Sequence, residues 1–357
     1  MFAQEEDTTM KITKVDSYKV VVPMKHGTVN SPQWGPPGFD EVPKFVVKVH
    51  TDEGICGIGE TGRGTPKEAV EQCIASAIGK DPMQMNLSEL PIAHSAAYGA
   101  FEMAIFDIVG KAIGWPVHKL LGGAFRDKVL VDYWCGRKTP EDIAKTAKEG
   151  WDKGFKGIKM KCALEDPMVE RVKAIAEVAP EMKITIDPNT RFYRPSAALE
   201  LARELEGYNI EVFEDPVPKQ DLEWYVFMKR EMKIPLALHL GSPKEVIAAI
   251  QKDCVDCLNL GGNMVGFVRL VTIAEAAGLP VWHGSGVDLG IMDMSYVHAC
   301  AAAKGCTMAS DIIGNFLRAD DLIVEPIQFE AGYAIVPQSP GLGVELDEEA
   351  AKRYIVE

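Results

Sequence analysis

Three apolar segments in the middle of the chain each end in charged side chains. Lys159 and Lys161 close the first segment two residues apart, Asp187 closes the second and Glu214 closes the third. If the segments are consecutive parallel strands, their carboxyl ends meet at one edge and bring these four side chains together. Because each charge closes an apolar run, the pattern favours a functional cluster over an ordinary solvated surface.

This set of side chains suits proton abstraction next to a carboxylate. Carboxylates on adjacent strands are the hard oxygen ligands that Mg²⁺ prefers, and Mg²⁺ usually keeps waters or substrate oxygens as its other ligands. The ion can hold a substrate carboxylate and stabilise the charge that develops when the adjacent carbon loses its proton. A lysine accepts that proton only when it is neutral, and a second lysine two residues away would lower its pKa.

The elements that would position these residues recur along the chain. From about residue 129, apolar segments alternate with amphipathic helical stretches at intervals of 20 to 28 residues. The candidate strands are residues 129–135, 157–161, 183–187, 210–214, 236–240, 256–260, 280–283 and 306–310. Eight strands with crossover helices predict a closed parallel (β/α)-barrel.

The two ends of the chain have a different pattern. Residues 10–60 alternate like antiparallel strands, and a helical apolar stripe follows them. We therefore expect an α/β fold in which residues 128–320 form the barrel. Residues 10–127 and 321–357 would build one α+β capping domain beside it, preceded by a loose tail at residues 1–9.

The composition excludes several classes of function. The 357 residues carry a formal net charge of -14, which repels phosphate backbones and anionic lipid, so neither nucleic-acid nor membrane binding is expected. No apolar run approaches the roughly 20 residues of a membrane helix, and the acidic start does not resemble a secretory signal. The eight cysteines include one lone CxxC, at Cys254 and Cys257. They are interpreted as buried thiols in a reducing cytoplasm.

The ordered motifs resemble the enolase superfamily, in its mandelate racemase/muconate lactonizing branch. The strand-end motifs that carry the resemblance are Lys159-x-Lys161, Asp187-x-Asn189 and Glu214-Asp215-Pro216. Residues 100–107 with 120–123 are similar to the cap helix of that family and its exit, and residues 340–344 to its C-terminal strand. The resemblance extends over nearly the whole chain from Met10. It implies an enzyme with a lysine or histidine base and Mg²⁺.

The resemblance also implies roles for individual residues. Lys161 would be the base on the second strand, and Lys159 the neighbour that lowers its pKa. Asp187 and Glu214 would be metal ligands, and Asn189 would lie close enough to bind substrate.

A second base is implied for the opposite face of the barrel mouth. Asp256 on the sixth strand and His283 at the end of the seventh would form the dyad of racemases, with an ordinary buried histidine as the alternative for His283. Asp311 would be the acid that hydrogen-bonds the substrate carboxylate. Asp288 is the alternative for that acid, unless it is merely a helix N-cap.

Two positions depart from the family pattern. The fifth strand should end in a third carboxylate ligand but offers His239, and imidazole suits Zn²⁺, Fe²⁺ or Mn²⁺ better than Mg²⁺. Either the ligand set is mixed or metal binding is weakened. On the sixth strand no lysine follows Leu260, which argues against the muconate cycloisomerase pattern and for a racemase or acid-sugar dehydratase.

The loop at residues 24–37 resembles the family's mobile loop that closes over substrate, with His26 and Trp34 as candidate substrate contacts. An ordinary surface loop is the alternative.

The function expected from these features is proton abstraction from a small hydroxy-acid, acid-sugar or amino-acid derivative, giving racemisation, epimerisation or dehydration. A muconate-type cycloisomerase is one alternative. A degenerate barrel that has lost its ion and acts as a binding protein is an alternative from another class. The resemblance further implies a homo-oligomer.

Overall fold

The computed structural model describes residues 9–357, so the predicted tail at residues 1–9 falls almost entirely outside the described residues. An antiparallel sheet comes first, in the order β1-β2-β3. Its strands are β1 (Ile12–Val20), β2 (Lys44–Thr51) and β3 (Cys56–Glu60). The helices that follow are α1 (Lys67–Ala77), α2 (Tyr98–Ile113) and α3 (Val117–Leu120), and 3₁₀ turns cover Pro32–Trp34 and Pro82–Gln84.

Helix α2 lies directly on β3 because two glycines of that strand lack a side chain. A Cβ atom at Gly57 would lie 2.0 Å from the carbonyl oxygen of Ala104, and one at Gly59 would lie 1.8 Å from that of Ala100. On the same helix, Glu102 accepts a 2.8 Å hydrogen bond from the N–H of Met264, at the start of a barrel helix. Helix α2 therefore joins the N-terminal sheet to the barrel.

The barrel strands pair in parallel and in chain order, as the sequence predicts. A short strand, β4 (Lys128–Leu130), precedes them. The barrel strands are β5 (Tyr133–Cys135), β6 (Gly157–Lys161), β7 (Lys183–Asp187), β8 (Ile210–Glu214), β9 (Leu236–Leu240), β10 (Cys257–Leu260) and β11 (Val281–His283). The helices between and after them are α4 (Pro140–Asp152), α5 (Met168–Val178), α6 (Pro195–Leu205), α7 (Leu222–Glu231), α8 (Pro243–Lys252), α9 (Met264–Ala276), α10 (Gly290–Ala302) and α11 (Gly314–Leu317).

Two predicted strands differ in detail. The first, residues 129–135, is divided between β4 and β5. The eighth, residues 306–310, is an extended segment that makes isolated parallel bridges, Val281 with Cys306 and Val131 with Ser310. The segment lies between β11 and the junction of β4 and β5 and bonds to both, but its pairing with each is limited to these isolated bridges. It nevertheless closes the barrel between β11 and β5.

The lower part of the barrel is filled by apolar side chains. Val212, Ala237, Cys257 and Trp282 pack together inside it, with Met308 against them. Because strand side chains alternate between two faces, the residues two places further on point into the open carboxyl end of the barrel. The charged strand ends therefore lie above a packed floor.

The C-terminal segment contacts both parts of the molecule. It contains β12 (Phe329–Glu330), β13 (Tyr333–Ile335) and α12 (Glu348–Arg353). Strand β13 pairs antiparallel with β4, and Ile355 bridges to Val20 of β1. Among the described residues, no helix has the length and apolar character needed to cross a membrane.

Candidate active site

The carboxyl ends of the barrel strands bring together five charged side chains. In the register of the sheet, Lys161 lies beside Asp187, and Glu214 follows on the next strand. Asp311 joins them from the segment that closes the barrel, where its N–H donates to the carbonyl of His283. We call this set the mouth cluster: Lys159, Lys161, Asp187, Glu214 and Asp311.

Lys159 is the centre of the mouth cluster. Its Nζ lies 2.6 Å from Glu214 Oε2, 2.7 Å from Asp311 Oδ2 and 3.3 Å from Asp187 Oδ2. Burial acts against its charge, but the three carboxylates raise the pKa of Lys159 well above its ordinary value. Lys159 therefore remains an ammonium ion and is not available as a base.

Lys161 has different surroundings although it stands only two residues away. Its Nζ is paired with Asp187, and 24% of its side chain is exposed, against 3% for Lys159. Its backbone carbonyl accepts a 3.0 Å hydrogen bond from Nη2 of the buried Arg171. Of the two lysines, Lys161 is the one that a substrate can reach.

Glu214 is held by a residue that is not among those predicted from sequence. Asn259 Nδ2 donates a 2.7 Å hydrogen bond to Glu214 Oε1, while Asn259 Oδ1 is buried without a hydrogen-bond partner. Burial, together with the neighbouring charge of Asp187, raises the pKa of Glu214 to about 8. The alternation of strand side chains could have identified Asn259, because Cys257, two residues earlier, faces the barrel interior.

His239 lies at the mouth end of β9 beside Glu214. Its Nδ1 is 4.0 Å from Glu214 Oε1, and ligand atoms of Glu214, Asp215 and His239 all fall within 4.8 Å of one another. Burial, with the nearby charge of Lys159, lowers the pKa of His239 to about 3, so the ring is neutral at pH 7. Asp215 already accepts the N–H of His239 at 3.0 Å and pairs with Lys219. Of these three residues, Glu214 and His239 are therefore the ones available as metal ligands.

The predicted pair of Asp256 and His283 is wrong, because the two residues lie at opposite ends of their strands. Asp256 directly precedes β10 and accepts a 2.8 Å hydrogen bond from the N–H of Leu236, at the amino end of β9. Its other carboxylate oxygen lies 3.7 Å from Lys229 Nζ. His283 is level with Leu260, at the carboxyl end of β10.

His283 also points away from the mouth. Its neighbour Trp282 faces the barrel interior, and successive side chains of a strand point to opposite faces. The His283 ring lies between Phe267 and Tyr296, with ring-centroid distances of 4.3 and 4.0 Å, and burial lowers its pKa to about 4. The ordinary buried histidine is the interpretation that fits.

The loop at residues 24–37 is attached to the start of the barrel. The N–H of Gly136 donates to the carbonyl of Val29 at 3.0 Å, and the N–H of Ser31 to that of Arg137 at 2.9 Å. The guanidinium carbon of Arg137 lies 5.2 Å from the centroid of the Trp34 ring. Trp34 is thus close to the barrel without contacting the mouth cluster directly.

A chain of contacts leads from this loop to Lys161. Arg137 Nε donates to both carboxylate oxygens of Asp166 at 3.1 Å, and Arg171 Nη1 donates to the same carboxylate at 3.1 Å. Arg171 in turn holds the carbonyl of Lys161. Two arginines and Asp166 therefore connect the loop to the backbone of Lys161.

Two other predicted substrate contacts lie at the edge of the site. His26 is exposed and lines, with Lys138 and Glu149, a cavity of about 390 Å³ beside α4. Asn189 follows β7, and its backbone N–H donates to Asp187 Oδ1 at 2.9 Å while its side chain is exposed. Neither side chain forms a hydrogen bond with the mouth cluster.

Two family models match the chain. "Mandelate racemase / muconate lactonizing enzyme, N-terminal domain" matches residues 39–122, and "Enolase C-terminal domain-like" matches residues 142–350, which is more than half of the chain. The chain belongs to the mandelate racemase/muconate lactonizing branch of the enolase superfamily. The resemblance inferred from its sequence motifs is confirmed.

Relatives within the enolase superfamily catalyse different reactions. The chain is 27% identical to N-succinyl-L-Arg/Lys racemase of Bacillus cereus, over 97% of this chain and 98% of that protein. It is 25% identical to L-Ala-D/L-Glu epimerase of Clostridium acetobutylicum, over 86% and 92% of the two chains. It is 28% identical to arabinonate dehydratase of Saccharolobus solfataricus, over 89% and 92%.

Solved structures of the superfamily have the same fold. The crystal structure of N-succinyl Arg/Lys racemase from Bacillus cereus matches with a TM-score of 0.86 and 25% identity, over 97% of this chain and 98% of that chain. Muconate lactonizing enzyme from Pseudomonas putida matches with a TM-score of 0.83 and 22% identity, over 97% and 100%, which supports the fold alone. The predicted barrel with a capping domain is confirmed.

Enzymes of the enolase superfamily use a divalent metal, usually Mg²⁺, and Glu214 of the mouth cluster offers, with Asp215 and His239, ligand atoms close enough together to hold an ion. The mouth cluster contains three carboxyl groups and two lysines, so with all three acids ionised it would carry one excess negative charge. The raised pKa of Glu214, about 8, favours the neutral acid, and a bound cation would favour the carboxylate. Oδ1 of Asp311 and Oδ1 of Asn259 are buried without hydrogen-bond partners. Buried oxygens of this kind are satisfied by a hydrogen-bond donor or a cation, and His239 adds a neutral nitrogen donor.

Of the two candidates for the family's carboxylate-binding acid, only Asp311 lies in the mouth cluster. Asp288 instead accepts a 2.5 Å hydrogen bond from Lys44 Nζ on β2. It is not the N-cap of α10 either, because Leu289 holds that position and donates its N–H to Glu60 at 2.9 Å.

Proposed function

We propose that this enzyme abstracts the proton α to the carboxylate of a small acid, with Lys161 as its base. Its relatives are racemases, epimerases, dehydratases and cycloisomerases, and it is an enzyme of the racemase/epimerase or dehydratase type. The observation that carries the residue assignment is the partly exposed side chain of Lys161, which stands among carboxylates suited to a cation. The expected substrate is a hydroxy-acid, acid-sugar or amino-acid derivative.

We infer that a divalent ion is held by Asp187 and Glu214, with His239 as a third donor. Mg²⁺ is the family's usual ion, and an imidazole ligand also suits Mn²⁺, Zn²⁺ or Fe²⁺. When bound, the ion supplies positive charge that stabilises the negative charge developing beside the substrate carboxylate. Asn259 holds Glu214 in place, and the ammonium of Lys159 adds fixed positive charge.

A reaction with one base is the outcome that the mouth favours. On the sixth barrel strand, opposite Lys161, the side chain is Asn259, and an amide does not accept a proton near pH 7. Asp256 and His283 form no dyad that could supply a second base. The ammonium formed when Lys161 takes the α-proton can return that proton to a β-hydroxyl, which leaves as water. We therefore infer dehydration of a β-hydroxy acid rather than racemisation between two opposed bases.

Hydrogen exchange in heavy water tests this proposal without knowledge of the product. Acid sugars, hydroxy acids and N-acyl amino acids, each as both stereoisomers at the α-carbon, are incubated with the Mg²⁺-loaded enzyme and analysed by mass spectrometry. Deuterium incorporation or loss of water from one stereoisomer only is expected. Exchange from both would establish two bases, and no exchange in a protein that takes up no metal would favour the degenerate barrel.

We also propose that Trp34 closes the site as part of a mobile loop and that the enzyme forms a homo-oligomer. The contacts of Trp34 and Arg137 with the start of the barrel support the first statement, and the family supports the second. Trp34→Ala should raise KM more than it lowers kcat, and a monomer by light scattering at micromolar concentration would refute the oligomer.

A further inference from the structure

A second group of buried charges lies where the N-terminal sheet meets the barrel. We call it the junction cluster: Lys44, Glu60, Arg63, Asp288 and Arg318. Lys44 Nζ is paired with both Glu60 and Asp288, and all three side chains are at most 4% exposed. Glu60 also accepts the backbone N–H of Met292, in the first turn of α10, at 2.8 Å.

Arg63 is the member of the junction cluster that lacks a partner. It follows β3, and its guanidinium carbon lies 3.9 Å from the centroid of the Phe39 ring. Within residues 9–357 it forms no salt bridge, and its Nη1 is buried without a hydrogen-bond partner. Arg63 keeps partial solvent exposure, yet burial lowers its pKa from the ordinary value, and a partly buried guanidinium without a partner is costly to retain.

Arg318 adds a second unused donor. Its Nε and Nη1 donate to the carbonyls of Val287 and Val22 at 2.7 and 2.6 Å, whereas Nη2 is buried without a partner. The positive charge of Arg318 repels that of Arg63 and so helps to lower the pKa of Arg63.

The junction cluster therefore carries one uncompensated positive charge. Three cations face two carboxylates there. A third acid, Asp293, lies nearby, and burial together with the charges of Asp288 and Glu60 raises its pKa well above the ordinary value, which favours its neutral form.

The free guanidinium lies at the rim of the barrel mouth. A Cβ atom at Gly286 would lie 3.5 Å from Arg63 Nη2. The preceding residue, Ser285, donates its hydroxyl to the carbonyl of Asp311 at 2.8 Å, and Asp311 belongs to the mouth cluster. Ser285 and Gly286 both keep partial solvent exposure.

We propose that Arg63 binds a second carboxylate of the substrate, at the end of the molecule remote from the reacting carbon. The guanidinium fork matches a carboxylate in two parallel hydrogen bonds. A single excess positive charge suits a carboxylate better than a phosphate dianion. The face of Phe39 fixes the plane of the fork and leaves its edge for the ligand. That this anion is part of the substrate rests on the proposed function, whereas binding of a carboxylate at Arg63 does not depend on it.

Binding measurements test the site without turnover. Succinate, glutarate and adipate are each compared with their half-amides by calorimetry on the Mg²⁺-loaded enzyme, in wild type, Arg63→Met and Arg63→Lys. Hydrogen bonds to a charged group contribute about 1.5–3 kcal/mol, so at least one diacid should bind roughly 10- to 100-fold more tightly than its half-amide. Arg63→Met should remove that difference, Arg63→Lys should keep part of it, and Arg269→Met, at an exposed arginine on α9, should leave it unchanged.

Two results would overturn the proposal. One is a wild-type enzyme that binds diacids and half-amides equally, which needs no variant to fold. The other is a folded Arg63→Met variant that keeps the difference in affinity between diacids and half-amides. If that variant also loses its oligomeric state by light scattering, Arg63 serves a subunit contact instead. If the enzyme exchanges the α-hydrogen but binds diacids no more tightly than half-amides, the Arg63 site alone is refuted. If it prefers diacids but catalyses no exchange, the proposed reaction alone is refuted.

Discussion

The mouth cluster and the junction cluster are both buried groups of charge, yet they are built in opposite ways. The members of the mouth cluster all come from the barrel, its three carboxyl groups outnumber its two lysines, and Oδ1 of Asp311 is the buried oxygen that has neither a hydrogen bond nor an ion pair. The junction cluster combines residues of the cap and the barrel, its balance is positive and its unpaired atoms are nitrogens of Arg63 and Arg318. Under the proposals above, the mouth cluster would hold a cation beside one end of the substrate and the junction cluster an anionic group at the other end.

The largest effect is expected from removing the base of the mouth cluster. Lys161→Ala should reduce α-hydrogen exchange by about 10²- to 10⁴-fold, the usual contribution of a general base. Lys161→Arg should fail as well, because guanidinium does not lose its proton at working pH. Lys173→Ala, at an exposed lysine of α5, is the matched control and should exchange at the wild-type rate. Wild-type exchange in Lys161→Ala would show that another residue is the base.

The corresponding change in the junction cluster should affect stability. Lys44→Met leaves Glu60 and Asp288 buried without their cation, which typically costs about 3–5 kcal/mol. Thermal and urea unfolding would measure it. The control is Lys148→Met, which breaks an exposed pair with Asp152 and should cost about 0–1 kcal/mol. Equal losses in the two variants would mean that the junction pair is not desolvated as described.

A smaller effect is expected at the support of the proposed metal ligand. Asn259→Ala removes the hydrogen bond to Glu214, and loss of such a support typically lowers metal affinity about 10- to 100-fold. Glu214→Gln should weaken binding at least as much. Titration with Mg²⁺ and Mn²⁺, followed by calorimetry, would check both. Unchanged affinity in both variants would place the ion elsewhere.

The smallest effect is expected at Asp256. Asn at this position can still accept the N–H of Leu236, and the ion pair with Lys229 is long and partly exposed. Asp256→Asn should therefore leave exchange unchanged and alter the unfolding free energy by less than about 1 kcal/mol. A hundredfold loss of α-hydrogen exchange would instead show that Asp256 takes part in catalysis, as the predicted dyad requires.

The sequence predicts the mouth cluster better than the junction cluster because strand ends are local features. Lys159, Asp187 and Glu214 each close an apolar segment, so parallel pairing alone brings them together. Their roles in catalysis stay predictions. Lys44 and Asp288, by contrast, are 244 residues apart along the chain, and no local pattern connects a strand of the cap to a loop of the barrel.

Orientation is what the sequence leaves open on short strands. Strand β11 has three residues, too few to show which face is apolar, so His283 could be assigned to the interior although Trp282 occupies it. For Asn259, alternation with Cys257 indicates a side chain that faces the barrel interior, but not that it bonds to a carboxylate two strands away.

The division between β4 and β5 has a consequence for how the protein unfolds. Within eight residues the chain pairs first with β13 of the C-terminal segment and then with the barrel sheet. Neither the sheet of β4 and β13 nor the barrel sheet can unfold without disturbing the backbone hydrogen bonds of the other. Heating should therefore give a single calorimetric transition rather than separate ones for cap and barrel, and limited proteolysis should not release an intact barrel.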